Sequence, residues 1–352
     1  MRLLILTQKV DVNDDLLGFF HDWIEEFAKY AEKITVIALG VGEHRLPANV
    51  KVISLGKENG ASKIKYVINF YRQIWRERKN YDAVFVHMNK EYVILGGLLW
   101  RLLDKKIGLW YVHKKVSFQL KLAEKLANII FSAAPESFKL KSRKVKFVGQ
   151  AVNFKKFVFN NQRREKLKDD FRIIYVGRIS QIKNQRLLIE AVNILVKDKR
   201  LIKIRVELVG SPMTAKDEEY LNELKRLVKQ YNLGENINFI GSVPYRWIGQ
   251  YLSQADLSVN LCPTGGMDKA VLESLASGVP AIAFNKIFSE LFKGYEHLFI
   301  LQTDAAGELA RKITVLADLT DKESIADELK NRIKKNYSLE NLADKIISGL
   351  AE

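Results

Sequence analysis

At 352 residues the chain exceeds a usual single domain, so two cores of roughly 150 residues each are expected. Hydrophobic residues at 47% and charged residues at 28% are ordinary for a soluble globular protein. A single cysteine, Cys262, excludes an internal disulfide and any multi-cysteine metal site.

The N-terminus opens directly on the apolar run Leu3–Leu6, without the basic flank, long apolar core and cleavage site of a secretory signal. Further strands are predicted at Ile34–Ala38, Val50–Ser54, Ala83–His87, Ile107–Val112 and Ile129–Ser132. Helical spacing falls between them at Leu16–Tyr30, Lys63–Lys79 and Val93–Leu103. The longest apolar stretch, Tyr92–Trp100, is far short of the roughly 20 residues that span a bilayer, and a cytoplasmic protein is expected. The polar, charged segment 159–170 has no apolar face and reads as the linker between domains 1–158 and 171–337. The strand pattern then restarts with Arg172–Val176, Ile204–Val209, Ile237–Ile240, Leu257–Asn260, Ala281–Phe284 and Leu298–Leu301. Near the end, Leu339, Leu342, Ile346, Ile347 and Leu350 form a helix-like stripe over about 338–352 that must pack on something; a return to the N-terminal domain is one option. Short strands alternating with amphipathic segments in both halves indicate an α/β protein with two parallel sheets.

Net charge is +16, and it is uneven. Residues 1–160 hold 28 Lys and Arg against 15 Asp and Glu, a balance of +13, whereas the remainder carries +3. An anionic surface or substrate facing the N-terminal half accounts for this, as does a lysine-rich solvated surface. Within Lys63–Lys79, Ile64, Val67, Ile68, Tyr71, Ile74 and Trp75 recur at helical spacing, with Lys65, Arg72, Arg76 and Lys79 elsewhere on the wheel. Such a helix can rest on anionic lipid head groups, or simply pack its stripe on the sheet. No nucleic-acid-binding module or aromatic platform accompanies the basic half, and no nucleic acid is expected.

Parallel sheets hold ligands beyond the carboxyl ends of their strands, so the loops there carry the candidate chemistry. The first strand of the second half leads into Gly177-Arg178, with Lys183 just before a helix starting at Gln185. Glycine permits a close turn, and cations beside helix N-terminal amides suit a diphosphate. A later strand leads into Pro263-Thr264-Gly265-Gly266-Met267-Asp268-Lys269, then a short helix stopped by Gly278 and Pro280. Glu273 falls on its second turn, where a carboxylate can accept both hydroxyls of a ribose; a solvent-facing residue is the alternative. Gly265 and Gly266 leave bare amides for phosphate or sugar oxygens.

Together these two segments resemble the retaining glycosyltransferases of family 4, group 1. The family's Gly-Arg, four residues, then Lys is matched by Gly177, Arg178 and Lys183. Its Leu-Glu-Ala-Met-Ala-x-Gly-x-Pro stretch is matched by Leu272–Pro280. The resemblance implies a GT-B fold, two Rossmann-like parallel-sheet domains facing a central cleft. It also implies a nucleotide-diphosphate donor (UDP- or GDP-sugar), a glycan or lipid-linked acceptor, no cofactor and no metal. Arg178 and Lys183 would stabilise the leaving diphosphate and Glu273 hold the ribose. His113, after the strand at 107–112, would contact the donor sugar, with His87 a weaker counterpart. Gly18 is an approximate match to the acceptor-side glycine. One departure concerns the family's first Glu, eight residues before Glu273, where this chain has Gly265. Asp268 or Lys269 is expected to replace it in reading the sugar, with simple helix capping by Asp268 as the alternative. A sugar-nucleotide epimerase or hydrolase of the same architecture, and a non-catalytic nucleotide-sugar or nucleic-acid binding protein, are the rival functions.

Overall fold

Strands such as Ala83–His87 are apolar without alternation, as strands covered on both faces must be. The computed structural model, which describes residues 1–157, 170–198 and 203–352, accordingly contains two wholly parallel sheets. The described residues divide into two compact units. One comprises Met1–Ala151, Pro244–Arg246 and Leu339–Glu352; the other comprises Val152–Val243 and Trp247–Ser338. The division thus falls at Ala151, ahead of the expected 158, and 159–169 of the expected linker lie outside the described residues.

The first unit runs β1 (Arg2–Val10), α1 (Gly18–Phe27), β2 (Lys33–Val41), β3 (Val50–Ser54), α2 (Lys63–Arg76), β4 (Ala83–His87), α3 (Lys90–Leu102), β5 (Lys106–Trp110), α4 (Phe118–Leu126), β6 (Ile129–Ser132) and β7 (Val145–Phe147). Its sheet has the order β3-β2-β1-β4-β5-β6-β7. Several boundaries differ from expectation, β2 reaching Val41 rather than Ala38 and α1 running Gly18–Phe27 rather than Leu16–Tyr30 among them. β1 continues through Thr7 to Val10 because Thr7, Lys9 and Val10 still pair with Ala38, Gly40 and Val41 of β2. β5 stops at Trp110, which leaves His113 three residues into the following loop.

The second unit runs β8 (Phe171–Val176), α5 (Gln185–Lys197), β9 (Ile204–Val209), α6 (Ala215–Gln230), β10 (Ile237–Gly241), α7 (Tyr245–Leu252, whose first two residues fall in the first unit), β11 (Leu257–Asn260), α8 (Lys269–Ala276), β12 (Ala281–Ala283), α9 (Glu296–Phe299), α10 (Ala306–Asp318) and α11 (Lys322–Asn336). Its sheet order is β10-β9-β8-β11-β12. The strand expected at Leu298–Leu301 is absent. Its first half closes the short helix α9, and Ile300 makes only an isolated bridge to Ala283.

The closing helix α12 (Leu339–Ala351) belongs to the first unit. Its stripe of Leu339, Leu342, Ile346, Ile347 and Leu350 is buried in one core with Trp23, Phe27 and Phe131. Glycines permit this approach: a Cβ on Gly349 would stand 2.9 Å from the Phe131 ring, and one on Gly108 would stand 2.6 Å from Leu350.

Candidate functional site

In the second sheet the chain winds outward from β8 through β9 to β10, then returns on the other side through β11 and β12. Such a reversal opens a crevice at the carboxyl ends of the two central strands. Gly177, Arg178 and Lys183 follow β8, and Asp268 with α8 follows β11, so the sheet itself gathers the two sequence motifs. Lys183, in a 3-10 turn at Gln181–Lys183, forms an ion pair with Asp268. Asn260 Nδ2 donates to the same Asp268 oxygen at 3.0 Å. The other Asp268 oxygen accepts from the Ala270 amide at 3.4 Å, making Asp268 the N-cap of α8. Burial pushes both ionisations toward the neutral forms, but the opposed charges outweigh it. Asp268 is held below the usual carboxylate range and Lys183 above the usual lysine range, with Arg178 near enough to oppose the latter.

Three residues that sequence reasoning missed hold this arrangement. Tyr175 is buried in β8; its hydroxyl donates to the Lys183 carbonyl at 2.5 Å and accepts from the Leu261 amide at 3.3 Å. Burial keeps its phenol well above the ordinary value, so it stays protonated in this bridge. Gln185, fully buried, donates to the Arg178 carbonyl at 2.9 Å and so fixes the turn that presents that arginine. Gly210, after β9, meets Gly177 directly. The Gly177 amide bonds to Val209 O at 2.9 Å and the Ile179 amide to Ser211 O at 3.2 Å, which draws the two loops together.

A Cβ on Gly210 would lie 2.1 Å from the Gly177 carbonyl oxygen, and its φ of +139° disfavours any side chain. Gly210→Ala is therefore expected to destabilise the protein by about 3 kcal/mol through overpacking and backbone strain. Gly234, where an added methyl would have no neighbour within 4 Å, is the control, and Gly234→Ala should change stability by less than about 0.5 kcal/mol. Urea denaturation of both variants checks this, and equal stabilities would remove the tight Gly177–Gly210 contact from the account.

Glu273 is 4% exposed on α8, which sets aside the solvent-facing alternative. The helix ends as its sequence indicates. Gly278 has φ +72°, its amide bonds to Leu275 O, and the Val279 amide bonds to Ser274 O, a glycine-terminated C-cap. Gly265 has φ +133° and open space within 4 Å of where a Cβ would stand, while its carbonyl accepts from Asn285 at 3.4 Å. The missing family glutamate is thus matched by a backbone conformation that a glutamate would strain. Gly266 lies beside it in the loop, and Lys269 is the first residue of α8. Among the described residues, the buried Asn260 Oδ1, Gln185 Oε1 and Ser180 Oγ have no protein hydrogen-bond partner.

The first unit has its own reversal, between β1 and β4. There Gln8 donates to Asn89 at 2.8 Å, and His87 lies buried, stacked on Phe20 at 3.9 Å, with Phe19 edge-on and Trp23 tilted against it. His113 is exposed instead, its Nδ1 accepting from the Lys115 amide at 3.1 Å. Gly18 opens α1, its amide bonding to Asp14 O at 3.2 Å and a Cβ there lying 3.4 Å from Val12 O. His113 and Gly18 belong to the first unit, Lys183 and Asp268 to the second. Among the described residues, His21, Asp22 and Glu25 of α1 are the grouping whose donor atoms could share a metal ion; His21 Nε2 already accepts from the Arg45 amide at 3.1 Å.

Residues 158–347 match the family described as glycosyl transferases group 1, and the chain belongs to that family. Its two-sheet architecture is the GT-B fold. It is 24% identical over 170 residues, 47% of this chain, to an alpha-monoglucosyldiacylglycerol synthase of Streptococcus pneumoniae. It is 23% identical over 265 residues, 73% of this chain, to an uncharacterized glycosyltransferase of Methanocaldococcus jannaschii. These alignments span 36% and 63% of the two relatives. The crystal structure of HepE from Anabaena, solved with UDP and glucose, superposes with a TM-score of 0.78 at 17% identity, covering all of both chains.

Proposed function

We propose that this protein is a retaining glycosyltransferase of family 4, moving a sugar from a nucleoside-diphosphate donor to an acceptor hydroxyl without a metal. The observation that carries this reading is the ion pair of Lys183 with Asp268, the cap of α8, at the winding reversal of the second sheet, with Arg178 on the same loop as Lys183 and close enough to act on its charge. Departure of the diphosphate leaves an oxocarbenium-like sugar and concentrates negative charge on the leaving oxygens. Arg178, Lys183 and the first amides of α8 offer that charge a fixed cationic seat. The acceptor attacks from the face the diphosphate leaves, a donor phosphate oxygen takes its proton, and no protein nucleophile is required. Glu273 accepts the ribose hydroxyls. Both Asp268 oxygens are already engaged by Lys183, Asn260 and Ala270, so we assign Asp268 to positioning Lys183 and α8 rather than to reading the sugar. The amides at Gly265 and Gly266 take sugar or phosphate oxygens, and His113 is the first unit's contribution to the donor sugar.

The acceptor is a lipid-linked or growing glycan, met on the cytoplasmic face of an anionic membrane. Supporting this are the +13 balance of residues 1–160 and the name of the pneumococcal relative, a glycolipid synthase. No helix among the described residues is long and apolar enough to cross a membrane, so contact would be peripheral. A panel of UDP- and GDP-sugars tests the donor assignment by thermal shift. A true donor at 100 times its Kd stabilises the fold by about 2.7 kcal/mol through mass action. Absence of stabilisation by every nucleotide sugar, with the free diphosphates equally inert, would overturn the reading.

A further inference from the structure

Helix α2 carries two apolar stripes, and only one is covered. Phe70 and Ile74 are buried against the first sheet. Ile64, Ile68, Tyr71 and Trp75 recur at i, i+4, i+7 and i+11, a second line along the helix, and are 74%, 60%, 41% and 52% exposed. Packing on the sheet therefore accounts for Ile74 alone in the stripe read from the sequence. At about 100° per residue, exposed Lys65, Arg72 and Arg76 fall beside this outer line, on the side away from Phe70 and Ile74. Arg78 stacks on the Trp75 ring at 4.2 Å. Leu98 and Leu102 of α3, 66% and 85% exposed, extend the apolar surface, and Tyr71 ties the two helices by donating to Leu95 O at 2.9 Å.

Between α2 and α3 a cavity of about 360 Å³ opens, with an almost wholly apolar lining that includes Leu39, Leu55, Val67, Phe70, Tyr92 and Leu95. Its position follows from the topology. Leu39 lies near the end of β2, Leu55 directly follows β3, and Asn89, on the rim, follows β4, so the cavity lies at the carboxyl edge of the first sheet. Lys63 and Glu91 complete a polar rim, and Asn89 is the residue that Gln8 bonds at the β1–β4 reversal.

We propose that this cavity takes a hydrocarbon chain of a membrane lipid while the outer stripe of α2 and its lysine and arginine flank lie on the anionic bilayer surface. The occupant follows from two complementarities: an apolar groove fits an alkyl chain, and the adjoining cations fit acidic head groups. The groove's place at the carboxyl edge sets the chain's polar end beside Asn89 and Gln8. Resting on the glycosyltransferase reading, this makes the acceptor a lipid, its tail in the groove and its hydroxyl at the strand ends.

The test uses the full chain with vesicles of phosphatidylcholine, with and without phosphatidylglycerol, and with monomeric lysophosphatidylglycerol. Wild type should sediment with the anionic vesicles at low salt, lose that binding as salt rises, and show Trp75 fluorescence quenched by brominated acyl chains. Trp75→Phe removes that quenching and so assigns the signal. Ile64→Glu combined with Ile68→Glu should weaken vesicle binding roughly tenfold or more. Leu95→Trp, which fills the groove, should weaken lysolipid binding roughly tenfold while the outer stripe still adsorbs to vesicles. Calorimetry with UDP and GDP reports separately on the second unit and on folding. No wild-type binding to anionic vesicles or lysolipid overturns the proposal. So does self-association abolished by the two glutamates without lipid binding, which assigns the face to a second copy. Lipid binding without any nucleotide binding would support the groove and sink the transferase reading alone.

Discussion

Lys183→Ala and Arg178→Ala are each expected to cut turnover roughly 10²–10³-fold, the loss that follows removal of one fixed donor to transition-state charge. The structure makes the lysine variant the more informative. In the wild type Lys183 is paired with Asp268, itself bonded to Asn260 and capping α8. Removing the lysine leaves that carboxylate without its cation. A stability loss of about 2 kcal/mol follows, less than for a fully buried pair because 19% and 24% of the two side chains stay exposed. Adding Asp268→Asn should recover part of the stability and none of the turnover, which separates the structural cost from the catalytic one. The pH dependence has a defined sign. Asp268 is held below the ordinary carboxylate value, so its contribution is present above that value and disappears as pH falls through the depressed one. Lys183 is held above the ordinary lysine value, so its contribution persists at neutral pH and disappears only as pH rises through the raised one. The stability gap between wild type and Asp268→Asn should therefore close in acid. Near-wild-type single-turnover rates in both folded alanine variants would move the diphosphate elsewhere.

Glu273→Gln is expected to weaken nucleoside-diphosphate binding roughly tenfold or more, since hydrogen bonds to a charged acceptor contribute about 1.5–3 kcal/mol. The substitution preserves shape, which matters because Glu273 is itself buried, on a helix of only eight residues. An alanine there would add a packing defect to the loss of the carboxylate. If the carboxylate holds the ribose, the 2′-deoxynucleotide already lacks one of its two hydroxyl contacts and should lose less on the same substitution. Calorimetry that finds equal losses for both nucleotides would give Glu273 a different task.

Most strands were legible as short apolar-rich runs, some unbroken, as in Ala83–His87 and Ile129–Ser132, and some interrupted by charged residues, as in Val50–Ser54 and Ile204–Val209. Val50–Ser54, Ala83–His87, Ile129–Ser132, Ile204–Val209 and Leu257–Asn260 are bounded as the sequence indicates. Leu298–Leu301 misled for the same reason: a short apolar run cannot be told from buried helix by periodicity. β7 escaped because Val145-Lys146-Phe147 is a three-residue edge strand, half-exposed, with no such run. In the site, Gly177, Arg178 and Lys183 were legible because one loop carries all three. The partnership of Lys183 with Asp268 and Asn260 was not, since it joins loops that only the strand order brings together. Tyr175 and Gly210 carried no separate signal, one reading as core and the other as an ordinary turn glycine. In α2 the periodicity showed a stripe but not its orientation, because a period fixes spacing along a helix and leaves open which side the sheet will cover.

The place of α12 bears on the order in which the chain acquires its structure during synthesis. Every strand of the first sheet has been synthesised once Phe147 is made, yet the core around Trp23, Phe27 and Phe131 lacks its covering until Leu339–Leu350 follow. The second unit, Val152–Val243 with Trp247–Ser338, is translated entirely within that interval. The N-terminal unit is thus the later of the two to be finished on the ribosome, against the usual N-to-C sequence of domain completion. That apolar flank stays uncovered until α12 docks, and contacts of such long sequence separation make the docking slow.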